Sequence, residues 1–180
     1  YGMVKLRLST RGNQPKMVAE LEAEFDMLKQ LVHDVMVVDA DKSMTQVIGD
    51  ILSSSGKTLS TAESCTGGYI AHLLTSLAGS SAYYLGGAVT YANGVKQTLA
   101  GVRPGTLAQH GAVSRETVTE MAEGILRETG SDYALATSGI MGPDGGSPEK
   151  PVGTVWVAVA GRDEPATHQY QFRFDRMRNI

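Results

Sequence analysis

The sequence predicts an α/β fold, a three-layer α/β/α sandwich around a mostly parallel or mixed central sheet. The prediction rests on two observations. Segments with the periodicity of strands and of helices alternate along residues 46–180, and glycines mark the connections, with 17 of the 21 glycines lying after residue 56. Residues 1–45 contain few glycines. Their pattern of apolar residues predicts a truncated strand-helix-strand fragment ahead of the main domain.

The composition limits the classes of function. The chain has 180 residues, 42% of them hydrophobic and 19% charged, with a net charge of -3. A chain of this size buries roughly two thirds of its unfolded surface, which excludes intrinsic disorder. The absence of a Lys or Arg run argues against nucleic-acid binding, and no apolar stretch has the length of a membrane span. A single cysteine excludes a disulfide framework or a Cys-based zinc site, so we expect a cytoplasmic protein.

The first 45 residues predict three elements. Apolar and basic residues alternate over residues 3–8 as in a strand, apolar residues three and four apart predict a helix over about 15–33, and residues 35–38 suggest a returning strand. Two strands and one helix make a poor core. We therefore interpret residues 1–45 as the remnant of a region that lies mostly upstream, with a connector to the main domain.

The elements of the main domain follow from local patterns. Helices are predicted at residues 44–52, 68–77 and 95–100, and a turn at 103–105. A longer helix begins at Ser114, a plausible N-cap, and ends at Gly130. Strands are predicted at 58–61, 87–91, 133–137 and 154–160, with an edge strand at 168–174.

Residues 61–68 connect a strand to a helix and form the first candidate site. Backbone N–H groups and the positive end of the helix dipole point beyond the strand's carboxyl end, which suits an anion or an oxyanion. Ser64 and Thr66 add hydroxyls, and Gly67 and Gly68 let a substrate approach the backbone. A capped helix with a tight turn explains the segment equally well. Cys65 is a rival nucleophile, although a lone cysteine is more often a small buried hydrophobe.

Tyr91 and Lys96 lie near the end of the second predicted strand, where doubly wound sheets place their ligand crevice. A serine hydroxyl needs a base, and a desolvated lysine can be neutral enough to serve while a tyrosine relays or orients the proton. Taken alone, Lys96 fits a solvated helix position better. The four histidines, at 33, 72, 110 and 168, are alternative bases for which structural roles are favoured.

Residues 138–147 follow another central strand and include four glycines. Such a loop can wrap phosphate or ribose with backbone donors, although it has neither the Walker A nor the Rossmann spacing. A plain surface loop is the alternative interpretation. Residues 79–81 offer further hydroxyls before the second strand, and the guanidinium of Arg176 can pair with a phosphate.

Together these motifs resemble the C-terminal domain of the CinA (competence-damage-inducible) proteins, a domain that is also a nicotinamide-nucleotide amidase. The resemblance covers about residues 46–178. It is carried by AESCTGG at 62–68, GSS at 79–81, VTY at 89–91 followed by Asn93 and Lys96, HGAVS at 110–114, SGI and GPDGG within 138–146, and KPVGTV at 150–155. At Ser138 this family more often has threonine.

The resemblance implies hydrolysis of the carboxamide of nicotinamide mononucleotide to nicotinic acid mononucleotide and ammonia, without a metal or redox cofactor. It implies as catalytic residues Ser64, Lys96, Tyr91 and Ser81. It implies that Ser138 and Arg176 bind the substrate. The residue patterns add further candidate substrate-binding residues, Thr66, Gly67, Gly68, Gly142 and Gly145. The resemblance also implies a larger parent chain with an upstream module, and we expect a homo-oligomer.

The expected mechanism starts with Lys96 taking the proton of Ser64, directly or through Ser81 or Tyr91. Ser64 then attacks the amide carbon, and N–H groups at the start of the helix after Gly67 stabilise the oxyanion. The sequence leaves open which hydroxyl attacks. An alternative is a catalytically silent nucleotide-binding or regulatory module, or an assembly domain, neither of which requires a base beside a hydroxyl.

Overall fold

The computed structural model describes residues 4–180, which divide into two compact units between Val47 and Ile48. The first unit contains α1 (Pro15–Leu31) and a short 3-10 turn at His33–Val35. Pro15 occupies the first turn of α1, where its missing N–H costs no intrahelical hydrogen bond. The predicted helix over residues 15–33 is therefore confirmed, with its end two residues earlier than expected.

The two strands predicted for the first unit are wrong. Residue 3 lies outside the described residues, residues 4–8 have no regular structure, and residues 35–38 leave the 3-10 turn without forming a strand. Val4 and Val35 are 86% and 79% exposed. A strand is stable when a neighbouring strand completes its backbone hydrogen bonds, and alternation of apolar residues does not provide that neighbour.

The second unit is built on a five-stranded sheet. Its strands are β1 (Leu59–Glu63), β2 (Tyr84–Val89), β3 (Tyr133–Gly139), β4 (Thr154–Ala160) and β5 (Ala166–Gln171), in the spatial order β2-β1-β3-β4-β5. Strand β1 runs parallel to β2 and β3, whereas β4 is antiparallel to β3 and β5. The predicted mixed sheet is confirmed, and β5 is an edge strand as expected.

Six helices contribute to this unit: α2 (Met44–Ser55), which begins in the first unit, α3 (Tyr69–Thr75), α4 (Asn93–Ala100), α5 (Pro104–His110), α6 (Arg115–Thr129) and α7 (Arg176–Asn179). Ser114 Oγ accepts the N–H of Thr117 at the start of α6, and Gly130 ends the helix in a left-handed conformation. Both predicted caps are confirmed. The turn predicted at residues 103–105 is wrong, because Pro104 begins α5.

Helices cover both faces of the sheet. On one face, Val118 and Met121 of α6 pack on alanines of β1, β3 and β4, whose small side chains let the helix lie close to the sheet. On the other face, Leu52 of α2 and Leu74 of α3 pack with Leu59. The predicted three-layer α/β/α arrangement is thus confirmed.

Within residues 4–180, every helix is too short or too polar to cross a bilayer. The same residues contain no group of three or more His, Cys, Asp or Glu side chains arranged to hold a metal ion.

Candidate active site

Ser64 and Lys96 meet at the carboxyl end of the parallel strands. The Lys96 Nζ lies 3.0 Å from the Ser64 Oγ, although the two residues are 32 positions apart in the chain. Ser64 directly follows β1, and Lys96 lies in the first turn of α4, which follows β2. Since β1 and β2 are parallel, the segments that leave their carboxyl ends share one edge of the sheet.

The amine of Lys96 is buried in a polar but uncharged environment. Its side chain is 1% exposed, and Nζ donates to the carbonyl oxygens of Thr90, at 2.8 Å, and Tyr91, at 3.1 Å. Within residues 4–180 no carboxylate forms an ion pair with this amine. Burial therefore lowers the pKa of Lys96 below its usual range.

Cys65, the rival nucleophile, lies next to Ser64, but its environment disfavours the reactive thiolate. It is 5% exposed and packs with Met141 and Val155. Burial raises the pKa of its thiol to about 11. The nucleophilic form of cysteine is the thiolate, so this side chain stays a neutral thiol at physiological pH.

Tyr91 and Arg176 form a second contact at the pocket. The Arg176 guanidinium donates to the Tyr91 hydroxyl, at 3.1 Å, and to the carbonyl of Gly142, at 2.9 Å. The Tyr91 side chain is 61% exposed. Because Lys96 contacts Ser64 directly, a proton relay through the Tyr91 hydroxyl is not needed, and Tyr91 contributes its backbone carbonyl to the amine instead.

The structure does not bring Ser81 to this site. Ser81 is exposed and belongs to a 3-10 turn, Ser80–Ala82, that precedes β2. Leu59 pairs with Tyr84 at the amino ends of β1 and β2, whereas Ser64 follows the carboxyl end of β1. Within one chain the structure thus separates Ser81 from Ser64, because its turn lies at the opposite end of the sheet.

The start of α3 does not offer the predicted oxyanion donors. The N–H groups of Gly68 and Ile70, at 3.1 and 3.0 Å, donate to Glu63 Oε2, and that of Ala71 donates to Oε1 at 2.7 Å. Thr66 Oγ1 also donates to Glu63 Oε2, at 2.7 Å. The buried carboxylate of Glu63 thus takes the N–H groups that were predicted to bind an anion or an oxyanion.

Gly67 and Gly68 give the turn its backbone geometry. Their φ angles of +60° and +97° are in the left-handed region, which glycine adopts without strain. Thr66 is buried and bonded to Glu63. These three predicted ligand residues are not among those that line the pocket.

The pocket beside Ser64 and Lys96 combines polar and apolar groups. Its lining residues are Ser64, Cys65, Tyr91, Asn93, Lys96, Ala112, Val113, Ser138, Gly139, Met141 and Arg176. Ser138 is 1% exposed, and its hydroxyl donates to the carbonyl of Ala112 at 2.7 Å, which leaves its oxygen free to accept. Gly142 acts through its carbonyl on Arg176, and Gly145 is exposed and away from the lining.

Several residues that line the pocket are not singled out as site residues by the sequence. Asn93, Ala112 and Val113 lie within quoted motifs, but a motif does not show which of its residues face a cavity. The position of Glu63 at the end of a buried strand could have indicated its hydrogen bonds to the following turn, because a buried carboxylate needs hydrogen-bond donors. The four histidines, at 33, 72, 110 and 168, are not among the residues that line the pocket.

The chain is similar to proteins of one family. The family model described as the CinA C-terminal domain matches residues 41–180. A protein of Escherichia coli (strain K12) named nicotinamide-nucleotide amidohydrolase PncC is 53% identical over 134 residues, which cover 74% of this chain and 81% of that protein. A CinA-like protein of Cytophaga hutchinsonii is 44% identical over 181 residues, which cover 99% of this chain and 43% of the relative. The chain thus spans about two fifths of such longer relatives.

Solved structures have the same fold. The competence/damage inducible protein CihA from Agrobacterium tumefaciens superimposes with a TM-score of 0.73 at 43% identity, covering 75% of this chain and 83% of that one. A competence-damaged protein (CinA) superfamily structure from Escherichia coli gives a TM-score of 0.75 at 31% identity, covering 81% and 86%. The fold on which Ser64 and Lys96 lie is therefore shared by experimental structures.

Proposed function

This chain belongs to the CinA C-terminal domain family, and we propose that it hydrolyses the carboxamide of nicotinamide mononucleotide to nicotinic acid mononucleotide and ammonia. The observation that carries the proposal is the 3.0 Å contact between the buried Lys96 amine and the Ser64 hydroxyl. A relative at 53% identity is named for this activity, which supplies the substrate class.

Lys96 is the general base of the proposed reaction. A neutral amine has two N–H donors and one lone pair, and the carbonyls of Thr90 and Tyr91 take both donors. The lone pair is then left for the proton of the Ser64 hydroxyl. Burial favours this neutral form, because it penalises the ammonium ion.

Ser64 is the nucleophile. As its Oγ bonds to the amide carbon, its proton passes to Lys96, which then delivers it to the nitrogen as the C–N bond breaks and ammonia leaves. Water attacks the resulting ester, Lys96 accepts the water's proton, and the acid product leaves as Ser64 regains its hydroxyl. We propose the backbone N–H of Cys65, the residue after the nucleophile, as an oxyanion donor in place of the α3 groups.

The rest of the pocket holds the nucleotide. Ala112, Val113 and Met141 offer an apolar wall for the pyridine ring, and the oxygen of Ser138 accepts a ribose hydroxyl. Arg176 uses two N–H groups within the protein, at Tyr91 and Gly142, and keeps others for the phosphate. A homo-oligomer and an upstream module stay predictions.

An ammonia assay tests the proposal. Purified protein is incubated with the mononucleotide, with free nicotinamide and with the dinucleotide, and ammonia is quantified side by side. We expect turnover of the mononucleotide above the other two. The alternative, a silent nucleotide-binding module, predicts calorimetric binding of the mononucleotide with no ammonia at any protein concentration.

A further inference from the structure

Glu63 is a buried carboxylate that the proposed reaction does not use. It ends β1, immediately before Ser64, and is 1% exposed. No cationic side chain among residues 4–180 forms an ion pair with it. Instead, four uncharged donors surround its two oxygens: the Thr66 hydroxyl and the N–H groups of Gly68, Ile70 and Ala71. A buried charge is tolerated when such donors are all in place.

These hydrogen bonds determine the course of the chain after β1. The backbone of residues 64–68 wraps around the carboxylate, and α3 begins against it. Thr66 Oγ1 also lies 2.9 Å from Thr137 Oγ1 on β3, so the turn is connected to the neighbouring strand. The turn is therefore bonded both to the carboxylate of Glu63 and to the neighbouring strand.

Ser64 is bound into the same turn through its backbone. Its N–H donates to the carbonyl of Thr137 at 3.0 Å, and its carbonyl accepts the N–H of Gly67 at 3.2 Å. The carboxylate of Glu63 is directed at α3, whereas the Ser64 hydroxyl lies at Lys96. Glu63 can thus fix the position of Ser64 without contacting the reacting atoms.

We infer that Glu63 is a positioning residue for the nucleophile: its bonds to Thr66 and to the start of α3 hold Ser64 within hydrogen-bonding distance of Lys96. The inference rests on the proposed function for its catalytic consequence. It also explains why α3 supplies no oxyanion donors, because Glu63 takes those N–H groups. Reactions at Ser64 depend on this alignment, since small displacements of a reacting group cost much of its rate.

The test compares Glu63→Gln with the wild type. The amide has the shape of the carboxylate, but its NH2 group faces backbone N–H donors, so at least one bond is lost and the turn shifts. We expect kcat for ammonia release to fall at least tenfold while KM stays within about twofold. Glu128→Gln, a change on the exposed side of α6, is the matched control and keeps the wild-type kcat.

A second readout does not depend on the amide substrate. The rate at which a phosphonofluoridate labels Ser64, followed by mass spectrometry, falls in Glu63→Gln by a factor similar to that in kcat. If the reagent labels Ser64 of the wild-type protein but no ammonia is released, the proposed function is contradicted. The inference about Glu63 still holds in that case, provided that Glu63→Gln is labelled at least tenfold more slowly than the wild type. A folded Glu63→Gln variant with wild-type labelling overturns the inference, and so does a wild type whose Ser64 is not labelled.

Two variants of Thr66 keep the test valid if Glu63→Gln fails to fold. Thr66→Ser retains the hydroxyl that donates to Glu63, and Thr66→Val removes it while keeping the shape. We expect Thr66→Ser to label near the wild-type rate and Thr66→Val to label severalfold more slowly. Equal labelling rates for the two variants overturn the inference.

Discussion

Lys96 Nζ lies 3.0 Å from Ser64 Oγ, and the amine's two further hydrogen bonds go to backbone carbonyls rather than to a carboxylate. This pairing differs from an ordinary lysine ion pair, because no carboxylate among residues 4–180 forms an ion pair with the ammonium form. A neutral amine in this position can accept the proton of the Ser64 hydroxyl.

The activity should depend on pH through Lys96. Burial lowers the pKa of this amine, so the neutral, active form appears below the ordinary lysine pKa of about 10.4. We expect kcat/KM to rise with pH and to level off with a midpoint below that value, measured by ammonia release across a buffer series. Lys96→Met should lose the activity at every pH. A wild-type profile that is flat from acidic pH, at about 5, to about 10 contradicts a lysine base.

Ser64→Ala should remove the nucleophile without removing the pocket. We expect kcat to fall by about 10³-fold or more, as when other catalytic serines are deleted, while calorimetric affinity for the mononucleotide changes only severalfold. Ser81→Ala is the matched control, because Ser81 lies at the opposite end of the sheet, and it should keep wild-type turnover. The reverse pattern assigns the chemistry to Ser81.

Arg176→Ala should weaken recognition of the phosphate. Charge-assisted hydrogen bonds contribute about 1.5–3 kcal/mol, so we expect KM for the mononucleotide to rise about 10- to 100-fold. The riboside, which lacks the phosphate, should show little change in KM. Arg178→Ala, on the same short helix but outside the pocket lining, serves as the control. Equal losses for both substrates indicate a role for Arg176 other than phosphate binding.

Gly124→Ala should destabilise the second unit. A Cβ at Gly124 in α6 would lie 1.8 Å from the carbonyl oxygen of Ala100, at the end of α4, so the two helices must separate. Overpacking of this kind costs about 1–3 kcal/mol or more of unfolding free energy in urea titrations. Gly105→Ala, where a Cβ meets no atom within 4 Å, should be neutral or slightly stabilising. Similar stabilities for the two variants contradict the close packing of α4 on α6.

Local patterns were sufficient for much of the fold. The caps of α6 at Ser114 and Gly130, and the apolar strands β3 and β4, depend on neighbouring residues, so the sequence predicts them directly. The meeting of Ser64 with Lys96 was also predictable, because the carboxyl ends of parallel strands share one edge of a sheet.

The failures concern contacts that periodicity does not report, at long range for Ser81 and residues 4–8 and within five to eight positions for Glu63. The end of the sheet on which Ser81 lies depends on the direction of β2 relative to β1. The use of the α3 N–H groups depends on the chain turning back onto Glu63, and residues 4–8 form no strand without a pairing partner. None of these relationships is encoded in a motif or a periodicity.

Trapping the covalent intermediate tests the central claim most directly. Protein is mixed with excess nicotinamide mononucleotide, quenched in acid within milliseconds to seconds, digested and analysed by mass spectrometry, with Ser64→Ala and Cys65→Ala in parallel. We predict a nicotinoyl-nucleotide ester on the peptide that contains Ser64, present in the wild type and in Cys65→Ala and absent from Ser64→Ala. An adduct that persists in Ser64→Ala, or steady ammonia release by that variant, contradicts the account.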